Sequence, residues 1–221
     1  MLCDSGLWSR VEAELTLPVV HPVLSASSTT GMAEQVLSAV DGPFALVGLS
    51  LGAIVGFEVA RLAPERVEGF AALATNAAAP RAEQHEGWRR MARRTRAGDF
   101  AAVVEDVLPT MYAPGPPAEL AREFRGMAER TGARRFLAQL AAQHTRVDAR
   151  AGLRGISAPA LVASGDADAL CPPEFHREIA GLLPGAELEL VPGAGHLLPL
   201  EAPGTTAALL NRLFRRCTPT T

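Results

Sequence analysis

The sequence predicts an α/β protein with a mostly parallel sheet flanked by helices and a helical block inserted into it. Three observations carry this. Short apolar runs alternate with helix-patterned segments, as parallel α/β units require. The alternation stops near Pro80, where a stretch rich in Ala, Arg and Glu begins and contains no convincing strand. It resumes after about Leu153 and continues to the C-terminal region. The expected division is a core of residues 1–79 and 154–221, with residues 80–153 as a helical insertion.

Each element has its own signal. Residues 16–24, "TLPVVHPVL", read as a strand interrupted by proline. Residues 31–40 read as a helix with Met32, Val36, Leu37 and Val40 on one face. "FALVG" at 44–48 is a short apolar strand. Residues 51–63 form the next helix, ended by Pro64. "VEGFAALAT" at 67–75 is a strand. In the insertion, "HEGWRRMARRTRAGDF", "AAVVEDVLPTMY", "AELAREFRGMAERTG" and "ARRFLAQLAAQHTR" each read as a helix. Beyond it come a strand at 158–164, a proline-started helix at 172–183, a strand at 186–192 and a closing helix at 205–216.

Composition excludes several function classes. Apolar residues make up 48% of the 221, which argues for a packed core and against disorder. Net charge is −3 with no long run of one sign, so nothing marks a nucleic-acid or anionic-membrane surface. The arginines of the insertion are interleaved with Asp and Glu and read as a solvated helix face. The apolar run at 44–60 contains Ser50 and Glu58 and is short for a membrane span. The N-terminus has no basic stretch followed by an apolar one. Cys3, Cys171 and Cys217 are scattered and odd in number, which gives no metal-ligand spacing or disulfide framework and points to a reducing cytoplasm.

Chemistry enters at "GLSLG". Ser50 stands at the passage from strand to helix, with Gly48 and Gly52 on either side. A Gly-x-Ser-x-Gly at such a turn is a nucleophile elbow, in which a strained backbone projects the hydroxyl above the sheet. The plain alternative is a small-residue turn whose serine caps the following helix. A nucleophilic serine needs a base and an acid. "SGDAD" follows the 158–164 strand and offers Asp166 and Asp168. "PGAGH" follows the 186–192 strand and offers His196. In a parallel sheet all these strand ends share one rim. His21, His85, His144 and His176 follow no strand end and read as surface or packing residues.

These segments resemble the α/β-hydrolase family, of the cofactor-independent esterase, lactonase and C–C hydrolase kind. "FALVGLSLGAIVGFEVARLAPERVEGFAAL" is similar to its nucleophile segment, and "APALVASGDADALCPPEFHREIAGLLPGAELELVPGAGHLLPLEAP" to its acid and base segments. The resemblance implies a triad of Ser50, Asp168 and His196, the acid being the last residue of Gly-x-x-Asp, with Asp166 left to stabilise the turn. It implies the backbone N–H of Leu51 as an oxyanion donor, no metal or organic cofactor, a small acyl substrate, and residues 80–153 as the cap. Trp88, Met91, Phe100, Met111, Tyr112, Phe124, Met127 and Phe136 give that cap apolar surface, so an apolar or mixed acyl group is expected.

The chain also departs from the family. "LCDSGLW" is similar to the loop after the family's third strand, which carries the second oxyanion donor, here near Met1 or Leu2. The strands that precede this loop in the family have no counterpart. Either residues 17–24 pair beside Phe44–Gly48, or further chain lies upstream of Met1; the second is the expectation. A non-catalytic remnant that serves as a binding module is the alternative to a serine hydrolase.

Overall fold

The computed structural model describes residues 1–217. Four strands form one parallel sheet in the order β1-β2-β3-β4: β1 Phe44–Leu49, β2 Val67–Leu73, β3 Ala160–Gly165 and β4 Glu187–Val191. The helices of the two outer layers are α1 Thr29–Ala39, α2 Leu51–Leu62, α6 Pro173–Leu182 and α7 Pro203–Phe214. Between β2 and β3 stand α3 Ala82–Arg96, α4 Phe100–Val107 and α5 Ala118–Thr145. Within α5, Gly132 has a φ of 72° and leaves the helical region, so α5 is two helices meeting at a kink where the sequence reading divided them.

Side-chain alternation along the strands makes two cores, one on each face. Phe70 and Ala72 of β2, with Ala160 and Val162 of β3, pack under α1, α2 and α6. The intervening Ala71, Leu73, Leu161 and Ala163 face α7. Local signals start the helices: Ser28 Oγ accepts the Gly31 N–H at 3.0 Å ahead of α1, and Pro173 opens α6. A third core lies in the insertion, around Phe124, Met127, Phe136 and Leu140. Leu2 and Leu7 belong to it, so the N-terminal segment is packed beneath the inserted helices.

One expected strand is absent. Residues 16–24 form no ladder and lie on the surface, with Val20 and Val23 more than half exposed. Pro18 and Pro22 are four residues apart, so in a strand both missing donors would fall on the same edge. The segment is instead tied by side chains: Thr16 N–H donates to Asn211 Oδ1, and Ser25 N–H to Gln35 Oε1. Residues 17–24 therefore do not pair beside β1, whose outer edge has no strand partner among the described residues.

Candidate active site

The site assembles at the carboxyl rim of the sheet. Ser50 directly follows β1 with φ 55° and ψ −114°, one of three non-glycine residues at positive φ among those described. Such a conformation is costly and marks a constrained turn. The turn holds because β1 passes close to the start of α2. A Cβ on Gly48 would lie 2.4 Å from Ala53 N and 2.5 Å from the Gly52 carbonyl. Only Gly48 is so constrained, since a Cβ on Gly52 meets nothing within 4 Å. The Ser50 side chain makes no capping hydrogen bond, which removes the plain alternative of a helix cap.

Backbone ties hold the elbow in place. Ser50 N–H donates to Leu73 O at 2.9 Å, and Thr75 Oγ1–H donates to Ser50 O at 3.0 Å. Thr75 N–H in turn donates to His176 Nε2 at 2.8 Å. His176 is fully buried, and burial pushes its pKa down to about 4, so the ring is neutral and serves as an acceptor. The sequence reading made His176 a packing or surface residue. Its position on the buried face of α6 gives it a supporting role under the elbow that no motif signals.

The loops that follow β3 and β4 meet over the end of the sheet. His196 Nδ1 and Asp168 Oδ2 are 2.9 Å apart and both residues are almost wholly buried. The other carboxylate oxygen, Asp168 Oδ1, accepts the N–H groups of Leu170 and Cys171 at 2.9 and 2.8 Å. Asp166 is exposed and accepts the Gly193 N–H at 2.7 Å, a tie between the two loops. Among the described residues no hydrogen bond joins Ser50 to His196.

The His196 loop is clamped to the insertion. Glu201 accepts N–H groups from Gly195 at 3.0 Å and Ala113 at 2.9 Å, and Leu197 N–H donates to Met111 O at 3.0 Å. The approach is so close that a Cβ on Gly195 would lie 2.2 Å from Ala113 N. Burial raises the pKa of Glu201 despite these donors. Glu201 was not singled out from the sequence; its place just after His196 is the only hint.

Two backbone donors were expected near the serine. Leu51 N–H, at the first turn of α2, has no protein acceptor among the described residues. Leu2 has φ 65°, and its N–H donates at 3.0 Å to Gln139 Oε1 of α5. A cleft of about 640 Å³ runs from His196, Leu51 and Gln139 along the free edge of β1, with residues 17–24 on its outer side.

Asp168, Cys171 and His196 bring potential ligand atoms within 4.8 Å of one another. Their chemistry fits a metal poorly. Both Asp168 oxygens are already hydrogen-bonded, and burial pushes the Cys171 thiol far above its usual range, so it stays protonated.

The sequence model of the alpha/beta hydrolase family matches residues 13–209. The chain belongs to the alpha/beta hydrolase family. Among curated proteins, it is 28% identical over 199 residues to a pimeloyl-[acyl-carrier protein] methyl ester esterase of Neisseria meningitidis serogroup B, covering 87% of this chain and 75% of that one. It is 27% identical over 212 residues to the biotin biosynthesis bifunctional protein BioHC of Teredinibacter turnerae, covering 85% of this chain but only 36% of that one. Among solved structures, a thermophilic esterase from Thermogutta terrifontis with malate bound superposes with a TM-score of 0.86 at 24% identity, covering 96% of this chain and 86% of the other. The enol-lactonase from Burkholderia xenovorans gives 0.83 at 21%, covering 97% and 88%. This hydrolase thus shares its fold with esterases and a lactonase.

Proposed function

We propose that this hydrolase cleaves a small carboxylic ester, lactone or related acyl compound through Ser50, His196 and Asp168. The observation that carries the reading is the buried Asp168–His196 hydrogen bond at 2.9 Å, on the rim where Ser50 is held in a strained turn. Asp168 fixes the imidazole with its proton on Nδ1, leaving Nε2 as the base. The Ser50 oxygen attacks the substrate carbonyl carbon while its proton passes to His196 Nε2. The tetrahedral oxyanion takes the Leu51 N–H and, once Gln139 gives way, the Leu2 N–H. Collapse expels the alcohol, which takes the proton from His196. Water then attacks the acyl-enzyme with His196 again as base, releasing the acid and regenerating Ser50.

The inserted helices at 80–153 act as the cap that closes over the acyl group. The named relatives suit this reading: two are esterases, and one acts on a methyl ester. Hydrolysis needs no cofactor, and we place the protein in the cytoplasm.

One observation favours a second reading, a binding module without turnover. The Leu2 N–H is engaged by Gln139 and Ser50 is not hydrogen-bonded to His196. Hydrolysis of p-nitrophenyl acetate and butyrate separates the two. The hydrolase turns these esters over, and Ser50→Ala lowers the rate by more than about 10⁴-fold. Absence of turnover by folded wild-type protein would leave the binding module.

A further inference from the structure

His85 and His144, read from the sequence as surface or packing residues, meet across the insertion. His85 lies in the first turn of α3 and His144 in the last turn of α5. At these two ends the insertion leaves β2 and returns toward β3, so the contact ties its stems together. The Nδ1 atoms are 2.6 Å apart, the ring centroids are 4.9 Å apart, and the ring planes are 14° from parallel. The two distances differ by about the radii of two five-membered rings. The rings therefore lie edge to edge, close to one plane, with each Nδ1 aimed at the other. Trp88, one turn along α3, stands across both rings at 82° and 90°.

That geometry suits one hydrogen and not two. In the neutral pair one ring carries its proton on Nδ1 and donates to the bare Nδ1 of the other. With one added proton the imidazolium donates to a neutral partner, and the contact survives as a charge-assisted hydrogen bond. With two, both Nδ1 atoms carry hydrogen and both rings carry charge, so the rings are driven apart. No nearby anion relieves that state among the described residues. Burial, then the charges of His85 and Arg89, hold the His144 pKa below the usual histidine value. Arg89, Arg93 and Arg96 line the same groove as His144, and Arg146, 5.8 Å from the Trp88 ring, adds further positive charge. The acids of the packed elements are taken up elsewhere: Glu86 of α3 by Arg89 and Arg93, Glu105 and Asp106 of α4 by Arg125 and Arg94, and Asp148 beyond α5 by Arg150. Glu83 of α3 is exposed. Against the end of α5, α1 places Thr29, whose N–H donates to Thr145 Oγ1 at 3.0 Å, and its one acid, Glu34, is exposed.

We propose that His85 and His144 form an acid-operated clasp at the base of the insertion. The clasp is closed while the pair holds at most one added proton, and it opens when both rings are charged. Opening parts the first turn of α3 from the last turn of α5. The insertion stays tied to the His196 loop through Met111 and Ala113, so the release is local to the stems. The clasp does not depend on the hydrolase reading.

Hydrogen exchange read by mass spectrometry, corrected for the intrinsic effect of pH, tests this on wild type, His85→Gln and His144→Gln from about pH 7.5 to about pH 4.5. Imidazole NMR follows the His144 ring in wild type and His85→Gln. The wild-type ring is expected to take its proton at lower pH than in His85→Gln, where no like charge faces it. Once both rings are charged, exchange in peptides 80–88 and 140–147 of wild type rises roughly 10-fold, while the segment around Met111 keeps its protection. Neither variant shows that rise. Both variants keep His176, so its loss of stability toward acid is common to all three proteins. Should one variant fail to fold, the other is compared with wild type. The same acid-induced rise in all folded proteins, an unchanged His144 titration in His85→Gln, or wild-type stems that stay protected after both rings are charged would overturn the clasp.

Discussion

Gln139 Oε1, on the inserted helix α5, accepts the backbone N–H of Leu2 at 3.0 Å. Both residues are buried, and Leu2 holds a positive φ. The expected second oxyanion donor is therefore occupied by a side chain from the inserted helices. Gln139 competes with the substrate oxygen for one hydrogen bond, worth about 0.5–1.5 kcal/mol between neutral groups. Gln139→Leu, which keeps the volume and removes the acceptor, is expected to raise kcat/KM on p-nitrophenyl butyrate by roughly 2- to 10-fold. A fall in kcat/KM would show that Gln139 assists the reaction.

Asp168 and Asp166 are two residues apart, yet only Asp168 meets His196. Asp168→Asn is expected to keep the fold and lose roughly 10⁴-fold in kcat, because the amide no longer selects the Nδ1–H tautomer. Asp166→Asn weakens a tie to Gly193 and is expected to change kcat less than about 5-fold, with about 1 kcal/mol lost in urea unfolding. The reverse ranking would move the acid role to Asp166.

His176 makes stability depend on acidity. Its folded pKa of about 4 lies below the ~6.5 of a free histidine, so the unfolded chain takes up the proton first as pH falls. Its contribution is complete above about pH 6.5 and is lost progressively toward pH 4, on the order of 3 kcal/mol in all. His176→Gln keeps an acceptor for the Thr75 N–H and removes the titration. Thermal melts from pH 7 to 4 should fall more steeply for wild type than for this variant. Parallel slopes would remove His176 as the titrating group.

Glu201 joins the His196 loop to the insertion by accepting the N–H groups of Gly195 and Ala113. Glu201→Ala leaves both donors half-buried and unpaired, at about 1–3 kcal/mol each. The expected result is roughly 2–6 kcal/mol of lost stability and a lower kcat, because His196 loses its anchor. Unchanged unfolding would mean water replaces the carboxylate.

Much of the fold was legible because its signals are local. Apolar runs bounded by Gly and Pro marked all four strands, and the motif turns at Ser50, Asp168 and His196 sit at their carboxyl ends. The strand expected at 16–24 did not form: its composition suits a strand, but Pro18 and Pro22 remove two donors and side chains distant in sequence tie the segment's ends. The supports were illegible for a different reason. Thr75, His176, Gln139 and Glu201 act through contacts between residues as many as 137 positions apart, and no periodicity encodes such contacts.

The central claim is that Ser50 is an activated nucleophile. A fluorophosphonate probe followed by peptide mass spectrometry tests it most directly, because phosphonylation needs the serine, its base and an oxyanion donor but no knowledge of the substrate. The account predicts a single adduct on Ser50 in wild type, lost in Ser50→Ala and strongly slowed in Asp168→Asn. No adduct in folded wild-type protein, or an adduct on another residue, would contradict it.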